Sequence, residues 1–177
     1  MQFIDSIYYG NFPELKQRGV QAAYMDECIY IDSFDNPEDF MKFVVHEMAH
    51  SLFGLRNDPV EKEFLGKREL LCDILDSRDI GFPENMYYEL DYDEGIDKFL
   101  HDDLGYPTVS PLAQGIFLSP YSITSVSEYW SIGFEVMLLE DSQFVRKVCP
   151  QLFNRIEYLL DTDNFNEEYK NAYQNSY

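Results

Sequence analysis

The apolar positions of this chain change period along its length, and each change marks an element. Residues 20–32, VQAAYMDECIYID, are dense in β-branched, aromatic and small apolar residues, interrupted by Asp26 and Glu27 as a turn. Cys28 to Asp32 read as a strand. The pattern then turns helical. Asn36 is placed to cap a helix, Pro37 suits its first position, Glu38 and Asp39 complement its dipole, and Gly54 supplies a stop. Between these signals Phe40, Val44, Met48 and Leu52 form one apolar row, with Met41, Val45 and Ala49 beside it. A helix apolar nearly all round is expected to run through a core.

Farther along, Asp58 to Asp76 read as a helix of mixed charge and Asp93 to Leu104 as a strongly acidic one, separated by a Pro-, Tyr- and Asn-containing stretch around Gly81 to Tyr88. This region, roughly 58–104, is expected to be a lid or insertion. Gly105 to Thr124 contain Pro107, Pro111, Gly115 and Pro120 and are expected to be a positioned loop. Residues 125–140, SVSEYWSIGFEVMLLE, are helical in pattern and largely apolar. Asp141 or Ser142 then caps a short helix that Pro150 interrupts, QLFNRIEYLL forms the last packed helix, and residues 161–177 are expected to fray.

No repeat of domain-building length and no bilayer-length apolar run is present. With 177 residues, 45% of them hydrophobic and 16% aromatic, the chain suffices for one core, so residues 1–177 are expected to form a single domain. The fold class expected is α+β, mostly helical, with a small N-terminal sheet. The N-terminal sequence MQFIDSIYYGNFPELKQRG has no basic start followed by an apolar stretch, so it does not read as a signal peptide, and a cytoplasmic location is expected.

Charge narrows the partners. Asp and Glu number 33 against 13 Lys and Arg, a net charge of −20, which argues against nucleic acid and anionic membrane and favours a basic peptide or protein. A diffuse charge that only keeps the protein dissolved is the equal alternative. The three cysteines, Cys28, Cys72 and Cys149, are widely spaced in apolar surroundings and read as buried thiols; no CxxC pair exists to hold zinc.

The chemistry concentrates in His46-Glu47-Met48-Ala49-His50, an HExxH pattern. Residues four apart lie one above the other on a helix, so two imidazoles converge on one metal ion. Glu47, one residue beyond the first histidine, can reach a water at the metal without ligating, and act as its base. The alternative is a pair of core histidines satisfied by neighbouring side chains. It leaves three polar groups on an apolar helix unexplained, each costing several kcal/mol, roughly, if uncompensated.

A catalytic zinc takes a third protein ligand, and the candidates are His101, Glu128 and Glu135, with Asp102 and Asp103 behind them. Glu128 opens an apolar helix, yet Ser125 to Glu128 also has the S-x-x-E form of a capping box. Both readings stand. His101, among Asp97, Asp102 and Asp103, reads as a solvated histidine.

SPYSITSVSEYWSIGFEVML, taken with VVHEMAHSLFG, resembles the metallopeptidase domain of anthrax lethal factor and its relatives, including the Pro-Pro endopeptidases of clostridia. In that family a tyrosine is followed seven residues later by a glutamate that opens a helix; Tyr121 and Glu128 have that spacing, and Glu128-Tyr129-Trp130 begins such a helix. The resemblance covers roughly Cys28 to Gly54 and Gly115 to Leu139. It implies a zincin-like fold with one Zn2+ per chain on His46, His50 and Glu128, Glu47 as base, Tyr121 as a hydroxyl donor to the tetrahedral intermediate, and a zinc-dependent endopeptidase activity on a protein substrate. The chain departs from the family where a small-acidic pair is usual: Ser131-Ile132 stand there, so a carboxylate behind the ligands is either missing or supplied by Glu135. The strand Cys28 to Asp32 is expected to pair with an extended substrate. The competing expectation is a non-catalytic acidic binding or virion-assembly module on the same scaffold, with a structural or vestigial metal. A cytosolic effector and a phage or virus component fit equally.

Overall fold

The computed structural model describes residues 4–174, and the chain is mostly helical with one small three-stranded sheet. It falls into two compact units, residues 1–54 and 55–177.

In the first unit, strand β1 (Ser6–Tyr9) leads into helix α1 (Pro13–Arg18), a hairpin of β2 (Ala22–Met25) and β3 (Cys28–Ile31), and helix α2 (Pro37–Ser51). Asp26 and Glu27 are the two-residue turn read from the sequence, and both take the left-handed backbone (φ 50° and 60°) that matches the twist of a tight hairpin. Met25 therefore pairs with Cys28 and Ala22 with Ile31, antiparallel. β1 pairs with β3 in parallel, Ser6 opposite Cys28, giving the order β1-β3-β2. β3 alternates cleanly: Ile29 and Ile31 are buried, while Tyr30 lies on the opposite face, stacked on Tyr8 at 5.3 Å. α2 packs against β2 and β3, with Val45 and Ala49 buried.

Two expectations change here. β1 has no signature in the sequence because Ile7, Tyr8 and Tyr9 are all largely exposed, which removes the alternation that would have marked it. More important for function, β3 is the central strand, with both of its edges already paired. It cannot take a substrate strand; β1 and β2 are the edges.

The second unit is built around α3 (Asp58–Asp76), whose Val60, Phe64, Arg68, Leu71, Cys72 and Leu75 are buried. α3, the first part of the region expected to be a lid or insertion, is a central packing helix, in contact with three later helices. Those are α5 (Tyr106–Ala113), α6 (Val126–Leu139) and α8 (Pro150–Leu160). Between α3 and α5 lie a 3-10 turn, Glu84–Tyr87, and α4 (Glu94–Lys98), which is continued by a π-helical turn, Phe99–Asp103, as the acidic segment predicts. α7 (Ser142–Val148) is capped by Asp141, and α8 begins at Pro150.

α5 occupies the segment expected to be a loop. Pro107 falls in its first turn, where no N–H is needed, and Pro111 forfeits a single bond in an eight-residue helix. The segment expected to fray is helical as well: Asp161 caps α9 (Thr162–Tyr169), and a further turn reaches Gln174, while residues 175–177 lie outside those described. The cysteines are free thiols, with Cys72 and Cys149 buried and Cys28 part-buried. No described helix is long and apolar enough to cross a membrane.

Candidate metal centre

On α2 the sequence signals act as read. The Asn36 side chain accepts the Asp39 N–H at 3.0 Å, Pro37 opens the helix, and Glu38 and Asp39 occupy its first turn. The helix ends at Ser51, before Gly54, and passes into a 3-10 turn. His46 and His50 stand one turn apart with ring centroids separated by 4.9 Å at 74°. Both are half-buried. Glu47, on the adjoining face, is only 8% exposed, and its Oε2 accepts the backbone N–H of Tyr24 at 2.8 Å. Tyr24 lies in the edge strand β2, so the sheet itself fixes this carboxylate.

Glu128 lies in the first turn of α6. Ser125 Oγ accepts the Glu128 N–H at 3.1 Å, the bond expected of a helix cap. That contact uses only the backbone of Glu128. Capping and ligation therefore do not compete: the cap orients the first turn through the backbone N–H and does not engage the carboxylate. Tyr121 opens the 3-10 turn Tyr121–Ile123 and is 40% exposed. Burial, and after it the charge of Glu128, push its phenol well above the usual range, so it remains a proton-bearing donor.

One nitrogen from each of His46 and His50 and one carboxylate oxygen of Glu128 all lie within 4.8 Å of one another, a group that could hold a metal ion. Two imidazoles and a carboxylate suit zinc and leave one position for water. The other candidates are not part of this group. His101 is exposed and pairs with Asp102 at 2.6 Å, as a solvated histidine would; Asp103 is exposed, and Glu135 is half-buried seven residues beyond Glu128.

Sequence reasoning missed Arg68. It is completely buried on α3, and its guanidinium donates to the carbonyls of Ile123 (2.9 and 2.7 Å), Thr124 (2.8 Å) and Glu89 (2.6 Å). A signal did exist: Phe64, Arg68, Leu71, Cys72 and Leu75 form one helical row, and an arginine inside an apolar row needs buried acceptors. Glu63 was missed likewise. Its carboxylate accepts the N–H groups of Gln151 and Leu152 and the hydroxyl of Tyr129, capping α8 in place of a local side chain.

Compared with known proteins, the chain matches no family model, no curated protein and no solved structure.

Proposed function

We propose that this chain is a zinc-dependent endopeptidase. The observation that carries the reading is the grouping of His46, His50 and Glu128, with Glu47 next to His46 on the same helix. The resemblance of two segments to the lethal factor metallopeptidases supports it. In this reading His46, His50 and Glu128 hold Zn2+, which supplies Lewis-acid activation of water and of the scissile carbonyl. Glu47 takes the proton from the attacking water and delivers it to the leaving amine. The Tyr24 N–H bonds Glu47 Oε2 and fixes the orientation of this carboxylate. The phenol of Tyr121, kept protonated by its surroundings, donates a hydrogen bond to the carbonyl oxygen as charge develops there. An extended substrate pairs with an edge strand of the sheet, β1 or β2. The charge of −20 favours basic substrates by steering their approach.

Glu47→Gln keeps the size of the side chain and removes its basicity. Zinc content by mass spectrometry is expected to stay at about one ion per chain. Cleavage of a peptide library is expected to fall at least about 100-fold. Cleavage that persists in this variant would exclude the mechanism. The second reading, an acidic binding module with a structural metal, draws on the fact that Glu47 is already engaged by a backbone N–H. It requires the fourth metal position to be filled by protein, and a cobalt-substituted protein whose absorption spectrum responds to neither pH nor added anions would favour it.

A further inference from the structure

The segment that presents Tyr121 and Glu128 has its two side chains of interest seven residues apart, with the backbone between them leaving a 3-10 turn and entering α6. Carbonyls at the end of such a turn lack helical partners. Those of Ile123 and Thr124 fall midway between the two residues, and both are bonded by one guanidinium, that of Arg68. The same group donates to the Glu89 carbonyl, and the neighbouring Leu90 carbonyl accepts the N–H of Val126. Arg68 and the Leu90 carbonyl thus brace the entry to α6 from both sides of Ser125.

Among the described residues, all the hydrogen bonds of this guanidinium run to backbone carbonyls, and its one aromatic contact is Phe64, whose ring centroid lies 4.5 Å from the guanidinium carbon. A charge completely buried without a hydrogen-bonded carboxylate is costly. Burial lowers its pKa to about 10, which still leaves it charged at neutral pH. If packing were the only need, leucine or methionine would fill this place on α3 at lower cost. What arginine adds is a planar fork that fixes several carbonyls at once.

We infer that Arg68 is the positioning residue of the proposed centre, holding Glu128 and Tyr121 in a fixed relation through the backbone between them. This rests on the endopeptidase reading for the roles of those two residues, while the anchoring itself is a property of the second unit. Arg68 touches neither metal nor substrate; it acts through the carbonyls it binds.

The test uses the full chain as wild type, Arg68→Lys and Arg68→Ala, with Asp141→Ala as a destabilised control whose lost cap lies elsewhere, on α7. Amide hydrogen exchange of the metal-free proteins is read by mass spectrometry, and zinc affinity by chelator competition. In Arg68→Lys, exchange is expected to accelerate in peptides covering 119–128 and 87–91 while α8 keeps its protection, and zinc affinity is expected to fall about 10- to 100-fold. In Arg68→Ala, added ethylguanidinium is expected to restore slow exchange in 119–128 and part of the affinity, which a merely destabilised protein would not show. Asp141→Ala is expected to leave both readouts at 119–128 unchanged. Faster exchange spread over the whole unit, no response to ethylguanidinium, or wild-type affinity in a folded Arg68→Lys protein would overturn the inference. Should wild-type protein take up no zinc, the endopeptidase reading falls, and exchange at 119–128 alone decides whether Arg68 anchors the segment.

Discussion

At the scale of single residues, burial decides what each polar group can do. Cys72 and Cys149 are fully buried, and burial pushes both thiols from their ordinary 9.0 up to about 11. The sign follows from linkage. Between pH 9 and 11 the unfolded chain has released these protons and the folded chain has not, so stability present below pH 9 is lost as pH rises. Urea unfolding at pH 8 and pH 10 is expected to differ by about 1.3 kcal/mol for each thiol, the lower stability at pH 10. The Cys72→Ala, Cys149→Ala double variant should show a shallower slope, whatever its absolute stability; an unchanged slope would place the cause elsewhere. The same physics explains which parts of the site were legible. His46, Glu47 and His50 could be read because their relation is local, four residues on one helix. Glu128 is ambiguous because its backbone does form the cap that the S-x-x-E pattern advertises, while only its side chain belongs to the group that could hold a metal ion. Arg68 was invisible to motif reading because its partners are backbone carbonyls 21 to 56 residues away, groups that every residue possesses.

At the scale of elements, the readable helices were those with chemical punctuation. α2 and α3 start at Asn36 and Asn57, each followed within two residues by proline, and both asparagine side chains accept an N–H of the first turn. α5 is hidden in the sequence because its prolines carry the signature of a break, although one of them sits where a helix tolerates it. β1 was missed because a short, exposed edge strand carries no burial pattern. The approach of α6 to α8 is equally non-local, since it depends on the lack of a side chain at Gly133. A Cβ there would lie 2.4 Å from Cδ2 and 3.0 Å from Cγ of Leu152, itself fully buried. In Gly133→Ala the helix-propensity gain of about 1 kcal/mol opposes an overpacking cost of about 1–3 kcal/mol. The second should win because Leu152 has no solvent-facing space to move into. Thermal unfolding of the variant is therefore expected at lower temperature, with Leu152→Ala costing less in the Gly133→Ala background than in the wild type; a rise in melting temperature would show that α6 and α8 separate freely.

At the scale of the whole molecule, a net charge of −20 complicates any statement about metal. Thirty-three carboxylates attract divalent cations diffusely, so uptake of zinc alone does not identify a site. What separates a site from an atmosphere is chemistry and locality. Imidazole and carboxylate donors together select zinc over calcium or magnesium, which prefer oxygen ligands, whereas a diffuse atmosphere discriminates little among divalent ions. Binding to the folded state alone stabilises it by about 2.7 kcal/mol at a hundredfold excess over Kd, which for a chain of this size raises Tm by roughly 5 to 11 °C. Zinc is therefore expected to raise Tm by that order while calcium at equal concentration does not. Glu128→Ala removes one charge in 33, a negligible change to the atmosphere, but one ligand of three at the proposed centre. Its zinc-induced shift should fall to a small fraction of the wild-type value, whereas Glu157→Ala, an exposed carboxylate removed from α8, should retain the shift in full. Equal shifts in the two variants would mean that the ion is held by overall charge, and the three-ligand centre, with the peptidase built on it, would have to be abandoned.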